Sequence, residues 1–171
     1  MVKNELPLEL YKDFAHGVFK KIDGILENDV TVDGYNISLS SGAGGGTMVS
    51  TTEELNIYIQ ELLAGKLLTA QERKKLTTVF DEQTAEELTN GVNTNKPKAY
   101  GLGLGAIYNS NLNEVIYAHD GRTFGYYSLV RYFSSIGASY TVTFNSWFSK
   151  HDVFLNQFKE LDEKVWQYCK K

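Results

Sequence analysis

The sequence is poor in several features that would settle its class at once. It has one cysteine, Cys169, among 171 residues, so no internal disulfide is possible. It has two prolines and no Pro-rich or low-complexity tract. No apolar run approaches the ~18 residues of a membrane-spanning helix. No extended basic run exists and the net charge is −4, which excludes nucleic acid or an anionic membrane as the main partner. The three histidines, His16, His119 and His151, are scattered, and no His-x-x-x-His or Cys-x-x-Cys spacing occurs, so a metal site is not expected. The start, Met1-Val2-Lys3-Asn4-Glu5, lacks the apolar stretch of a signal peptide.

What remains is an ordinary globular balance: 42% apolar, 22% charged and 13% aromatic residues, the last mostly Tyr and Phe. The length suffices for one domain with a real core, and 1–171 is read as a single domain. Residues 1–98 are expected to be mainly helix and loop, and 99–171 to be sheet plus a closing helix.

Leu6, Leu10, Phe14 and Val18 have helix-compatible spacing, weakened by Gly17 and Gly24. Asp29 to Ser40 alternates as an extended segment does. The glycine run at 42–46 lacks the lysine and hydroxyl of a phosphate loop and reads as a tight turn feeding a helix. Ser50-Thr51-Thr52-Glu53 predicts a capping box, with Leu55, Tyr58, Ile59, Leu62 and Leu63 as one helical face and Gly65 as the stop. Thr69-Ala70-Gln71-Glu72 repeats the box, and Leu76, Val79 and Phe80 supply the next face. Asn90 to Lys98 reads as an exposed loop.

Beyond Tyr100 the period changes. Tyr100 to Asn109, Glu114 to His119, Tyr126 to Phe133 and Ser139 to Asn145 read as four strands, with connections short enough for antiparallel pairing. Phe154, Phe158, Leu161, Val165 and Tyr168 then mark a helix, with Lys170 and Lys171 at its cationic end. The fold class is α+β: an antiparallel sheet, a packed C-terminal helix and preceding helices. Tyr126, Tyr127, Tyr132 and Phe133 are read as alternating sheet packing rather than a cleft lining. The acidic pairs Glu53-Glu54 and Glu86-Glu87 are read as solvated faces.

Several short motifs resemble, in order, those of the superfamily of class C β-lactamases, DD-peptidases and related esterases. Gly44 to Leu55 is similar to its Gly-Gly-x-x-Ser-Thr-x-x-Asp-Leu stretch. Tyr100-Gly101-Leu102-Gly103-Leu104 is similar to its Tyr-Gly-Leu-Gly-Trp strand, and His119-Asp120-Gly121-Arg122-Thr123-Phe124-Gly125-Tyr126 to its His-x-Gly-x-x-x-Gly-Tyr/Phe element. Ala15-His16-Gly17 resembles Ala-His-Gly-Tyr, with Val18 in place of the aromatic residue. The match covers the second half of a family member and implies a partial β-lactamase/transpeptidase-like fold.

The resemblance also implies roles. The third family motif lines the active site. Its basic residue binds an anionic group of the substrate or assists proton transfer, and its strand supplies a backbone donor to the oxyanion hole. On this sequence the substrate-binding residues are His119, Gly121, Arg122 and Thr123. Asp120, in the middle position, departs from the small or hydroxyl residue of the family. The nucleophile departs further: no serine is followed by lysine at the third position. Ser128-Leu129-Val130-Arg131 is nearest in form, but arginine stays protonated and cannot serve as the base. Tyr-x-Asn, Ser-x-Asn and Gly-x-Ser-x-Gly are absent as well.

The implied parent is an acyl-enzyme hydrolase that needs no cofactor and no metal. Its substrate would be a small molecule or a peptidoglycan-like peptide. This chain alone would be inactive, and would form a homodimer or associate with the N-terminal half. The other reading is a non-catalytic binding or interaction protein that retains part of the fold. The family is commonly periplasmic or secreted, but these residues carry no address.

Overall fold

The computed structural model describes residues 15–20, 26–29, 48–123, 125–147 and 151–171. The helix-compatible spacing before Ala15, most of the extended segment at 29–40 and the glycine run at 42–46 lie outside them. Among the described residues nine strands and three helices follow in chain order: β1 (Val18–Lys20), β2 (Leu26–Asp29), α1 (Thr52–Ala64), α2 (Ala70–Thr77), β3 (Val79–Phe80), β4 (Lys98–Gly101), β5 (Gly105–Asn109), β6 (Glu114–Thr123), β7 (Tyr126–Phe133), β8 (Ala138–Phe144), β9 (Ser146–Trp147) and α3 (His151–Cys169). Three strands therefore lie wholly within the first 98 residues, and Val18, read on a helical spacing, is in β1. No helix among the described residues is long and apolar enough to cross a membrane.

Strands β3 to β8 form one antiparallel sheet in sequence order. This order is what short connections between successive strands produce. A second, three-stranded sheet has the order β2-β1-β9, with β1 antiparallel to β2 and parallel to β9. The described residues fall into two compact units. The larger comprises Thr51–His119, Leu129–Thr141 and Asp152–Lys171; the other lies within Met1–Ser50, Asp120–Ser128 and Val142–His151.

In the larger unit, both short helices begin on reciprocal caps. Thr51 Oγ1 accepts from the Glu54 amide at 3.2 Å, and Glu54 Oε2 accepts from the Thr51 amide at 3.0 Å. The box thus starts one residue later than Ser50, because Thr51 is the residue with extended backbone before the first turn. Thr69 and Glu72 form the second box as the sequence predicts. Gly65 ends α1 at φ 87°, a left-handed conformation that favours glycine.

Helix α2 stops at Thr77. The Thr77 hydroxyl donates to the Arg73 carbonyl at 3.0 Å and the Thr78 hydroxyl to the Lys74 carbonyl at 2.9 Å. Thr78 then takes extended backbone, so Val79 and Phe80 form a strand rather than a further helical face.

Alternation along β7 sends side chains to two faces. Tyr132, with Val130 beside it, packs with Ile59 and Leu63 of α1 and with Leu104. Tyr58, expected on the same helical face, is exposed. Arg131 and Phe133 face the other way, toward Tyr140 and α3. Tyr132 and Phe133 are thus packed in the sheet as expected. Phe158 anchors α3 in the core, but Tyr168, at the end of the same stripe, is 79% exposed. Asn90 to Lys98 is mainly exposed, with Val92 tucked into a second apolar cluster beside Val79, Ala99 and Ala106.

Candidate functional site

The region read as one strand, Tyr100 to Asn109, is two strands joined by a tight reversal. The Gly101 amide donates to the Leu104 carbonyl at 2.8 Å, and Gly103 turns at φ 92°. Glycine is required at position 101, because a Cβ there would lie 2.2 Å from the Thr78 carbonyl oxygen. Strand pairing sets Tyr100 opposite Gly105, and Gly105 opposite Ala118. A Cβ on Gly105 would meet the Tyr100 ring at 3.4 Å and the Ala118 carbonyl at 3.3 Å. The bare backbone of Gly105 therefore lets the Tyr100 ring lie close against it. The ring reaches His119 at a centroid distance of 6.3 Å, tilted by 57°.

Strand β6 changes character at this point. Glu114, Ile116 and Ala118 are buried, with half-buried residues between them, while His119, Asp120, Gly121 and Arg122 are all exposed. Thr123 is half-buried. The motif therefore occupies the end of the strand that leaves the packed core. A Cβ on Gly121 would meet nothing within 4 Å.

In the other unit, two of the quoted motifs meet. Tyr126 donates its hydroxyl to the Ala15 carbonyl at 2.8 Å and accepts from the Gly17 amide at 3.0 Å. A Cβ on Gly17 would fall 2.7 Å from the Tyr126 ring, so glycine there has a steric reason. Asn145 completes the arrangement: its side-chain amide donates to the His16 carbonyl at 2.8 Å, and its carbonyl accepts from the Val18 amide at 2.7 Å. Asp120 accepts from the Tyr127 hydroxyl at 3.3 Å, and the Tyr127 ring packs against Phe144 at 6.1 Å. The acidic residue in the motif is thus held by a phenol on the neighbouring strand.

Two polar features of the larger unit carry no local sequence signal. The first is a buried trio joining β7, β8 and α3. Tyr140 donates to Asp162 Oδ1 at 2.6 Å, and Arg131 Nε lies 3.8 Å from the same oxygen. Burial raises the Asp162 carboxyl above its ordinary range, against the Tyr140 hydrogen bond and the Arg131 charge, which lower it. Burial likewise raises Tyr140, with Asp162 adding to the effect. The second is Asp81, buried at the start of the loop after β3. It accepts from the amides of Gln83 and Thr84 and pairs with Lys96. The Lys96 hydrogen bond, followed by the two amides, lowers its carboxyl to about 2. Among the described residues no group of three or more His, Cys, Asp or Glu side chains is placed to hold a metal ion.

The fold is α+β of the kind found in β-lactamases and penicillin-binding proteins. Two solved structures share it: a D-stereospecific amidohydrolase from Streptomyces sp. and a penicillin-binding protein from Bacillus halodurans. The first aligns over 77% of this chain and 35% of its own, with a TM-score of 0.60 and 21% identity. The second aligns over 91% of this chain and 42% of its own, with a TM-score of 0.59 and 19% identity. Both belong to the serine β-lactamase/transpeptidase superfamily that the sequence motifs resemble. At these identities the likeness is one of fold, and the chain spans about two-fifths or less of each. No family model and no curated protein matches the chain.

Proposed function

We propose that this chain is the C-terminal part of a serine hydrolase of the β-lactamase/DD-peptidase type, and that it is inactive alone. The observation that carries the reading is the exposed end of β6, with His119 beside the Tyr100 ring. An imidazole at the head of an unburied strand can meet a substrate carboxylate or pass a proton. The strand backbone can donate to a developing oxyanion. Gly121, Arg122 and Thr123 follow His119 along the same strand. Asp120 is tied to Tyr127, which limits its repulsion of an anionic group.

The acyl-enzyme serine and its lysine belong to a segment outside these 171 residues, since no Ser-x-x-Lys occurs here. That segment associates with this chain, or a second copy completes the assembly. The likeness to a D-stereospecific amidohydrolase and a penicillin-binding protein favours a substrate carrying a D-amino-acid amide or a β-lactam over a simple ester. The test is to incubate the purified, folded chain with a fluorophosphonate and with a penicillin, and to read intact mass. The expected result is no adduct. A stoichiometric adduct on one serine would make the chain an enzyme in its own right and overturn the proposal.

A further inference from the structure

Within the larger unit, a cavity of about 350 Å³ opens between α2 and the sheet. Its polar lining is Arg73, Lys74 and Thr77 of α2, Tyr117 of β6, Tyr132 of β7 and Ser134 just beyond it. Two cations and four hydroxyls converge there without one carboxylate in the lining, in a chain whose net charge is −4. The ion pairs among the described residues are Lys66–Glu61, Lys96–Asp81 and Arg131–Asp162, so neither Arg73 nor Lys74 is neutralised. Glu114, which Ser134 contacts, already accepts from two hydroxyls and an amide of Ser134 and Ser135, and Glu72, beside Arg73 in the chain, is engaged by the Thr69 cap.

Arg73 is built into place. The guanidinium lies across Gly65, where a Cβ would sit 2.0 Å from Nη1. Its one hydrogen bond is a long contact of 3.5 Å from Nη1 to the Leu63 carbonyl. A guanidinium carries five donors in a rigid fork suited to carboxylate and phosphate. Most of that capacity is unspent. Lysine and arginine near a helix C-terminus ordinarily answer the helix dipole. That accounts for a solvated charge, not for a half-buried guanidinium seated on a glycine.

We propose that this cavity binds a compact oxyanion, a carboxylate or a phosphate, gripped by Arg73 and Lys74. The hydroxyls of Tyr117 and Tyr132 are the donors left to complete the polar wall, since those of Thr77 and Ser134 are given to backbone carbonyls and Glu114, and the tyrosine rings and Leu63 flank an apolar body. The volume is near the lower bound for ligand pockets, about 300 Å³, which suits a small molecule. The residues involved are distinct from His119–Thr123, so the site stands whether or not the hydrolase reading does.

The test is titration of the 171-residue protein with inorganic phosphate and, separately, benzoate, following backbone amide shifts by NMR. Saturable shifts clustered at Arg73, Thr77 and Ser134 are expected with at least one anion. Phosphate alone would assign a phosphoryl or inorganic ligand, benzoate alone an organic carboxylate, and both a general oxyanion site. Arg73→Gln should weaken binding about tenfold or more, as loss of a charged hydrogen-bond partner does. Lys159→Gln, on the exposed face of α3, should leave it unchanged. If Arg73→Gln fails to fold, Lys74→Gln serves the same purpose. Shifts that never saturate with either anion, or that respond equally to Lys159→Gln, would overturn the proposal.

Discussion

Replacing Asp162 with alanine should be among the most damaging single changes in the larger unit. Arg131 and Asp162 are 5% and 4% exposed, and their charges lie 3.8 Å apart. At an effective dielectric of about 20, that separation is worth roughly 4 kcal/mol of attraction, set against the desolvation of both groups. The pair therefore adds little net stability relative to apolar residues, but removing one partner strands the other. Arg131 Nε has no hydrogen-bond partner among the described residues even with Asp162 present. Without the carboxylate, the guanidinium would keep its burial cost and lose its counter-charge, and the Tyr140 hydroxyl would lose its acceptor.

The expected cost is about 3–5 kcal/mol, against a total of about 5–15 kcal/mol for a typical domain. With a urea m-value of about 2 kcal/mol/M, the midpoint should fall by about 2 M. Glu163→Ala, next to it on the exposed side where it accepts from Asn111, should cost under about 1 kcal/mol. The double change Arg131→Met with Asp162→Leu should recover most of the loss. Urea unfolding followed by circular dichroism reads all three. If Asp162→Ala cost no more than Glu163→Ala, Arg131 would be reaching water and the argument from burial would fail.

Two further outcomes follow from the geometry. Asp81 has its carboxyl lowered to about 2 by Lys96 and two amides, so its contribution to stability is fully present above the ordinary carboxylate value and lost as pH falls through about 2. Asp162, raised by burial, has the opposite slope, its ionisation weakening the fold as pH rises. The difference in unfolding free energy between the native chain and Asp81→Asn should therefore shrink between about pH 4 and pH 2, and a flat difference would refute it. Gly101→Ala forces a Cβ to within 2.2 Å of a backbone oxygen, whereas Gly121→Ala meets nothing within 4 Å. The first should cost about 1–3 kcal/mol and the second under about 0.5 kcal/mol in thermal unfolding. Equal costs would mean that the β4–β5 reversal does not depend on glycine.

The features legible in the sequence are those with a local cause. The Thr69 cap, the Gly65 stop, β7 and the closing helix all rest on signals within a few residues, and the structure has each of them. Where two local readings compete, the sequence misleads. Leu76, Val79 and Phe80 keep helical spacing, but the hydroxyls of Thr77 and Thr78 end the helix between them. Tyr100 to Asn109 reads as one strand because its reversal is made of Gly-Leu-Gly-Leu, whose leucines hide a turn that the glycines permit. Glu114 to His119 is legible as a strand from its own residues, but its continuation through Thr123 is not, and the role of His119, Gly121, Arg122 and Thr123 rests on the resemblance alone. The Arg131–Asp162–Tyr140 trio was not legible at all: its members lie 9 to 31 positions apart, and charged residues in an alternating strand or an amphipathic helix ordinarily predict solvent.

The two margins of the six-stranded sheet are unequal. At one, β3 is only two residues long, and its own loop returns over it, with Phe80 bridged to Glu87 and the Leu88 amide donating to the Val79 carbonyl. That margin is sealed by the chain itself, as sheets resistant to stray pairing are. At the other margin stands β8, seven residues long. Among the described residues no strand pairs with β8 on its outer side, so a strand recruited to lengthen this sheet would add there rather than at β3.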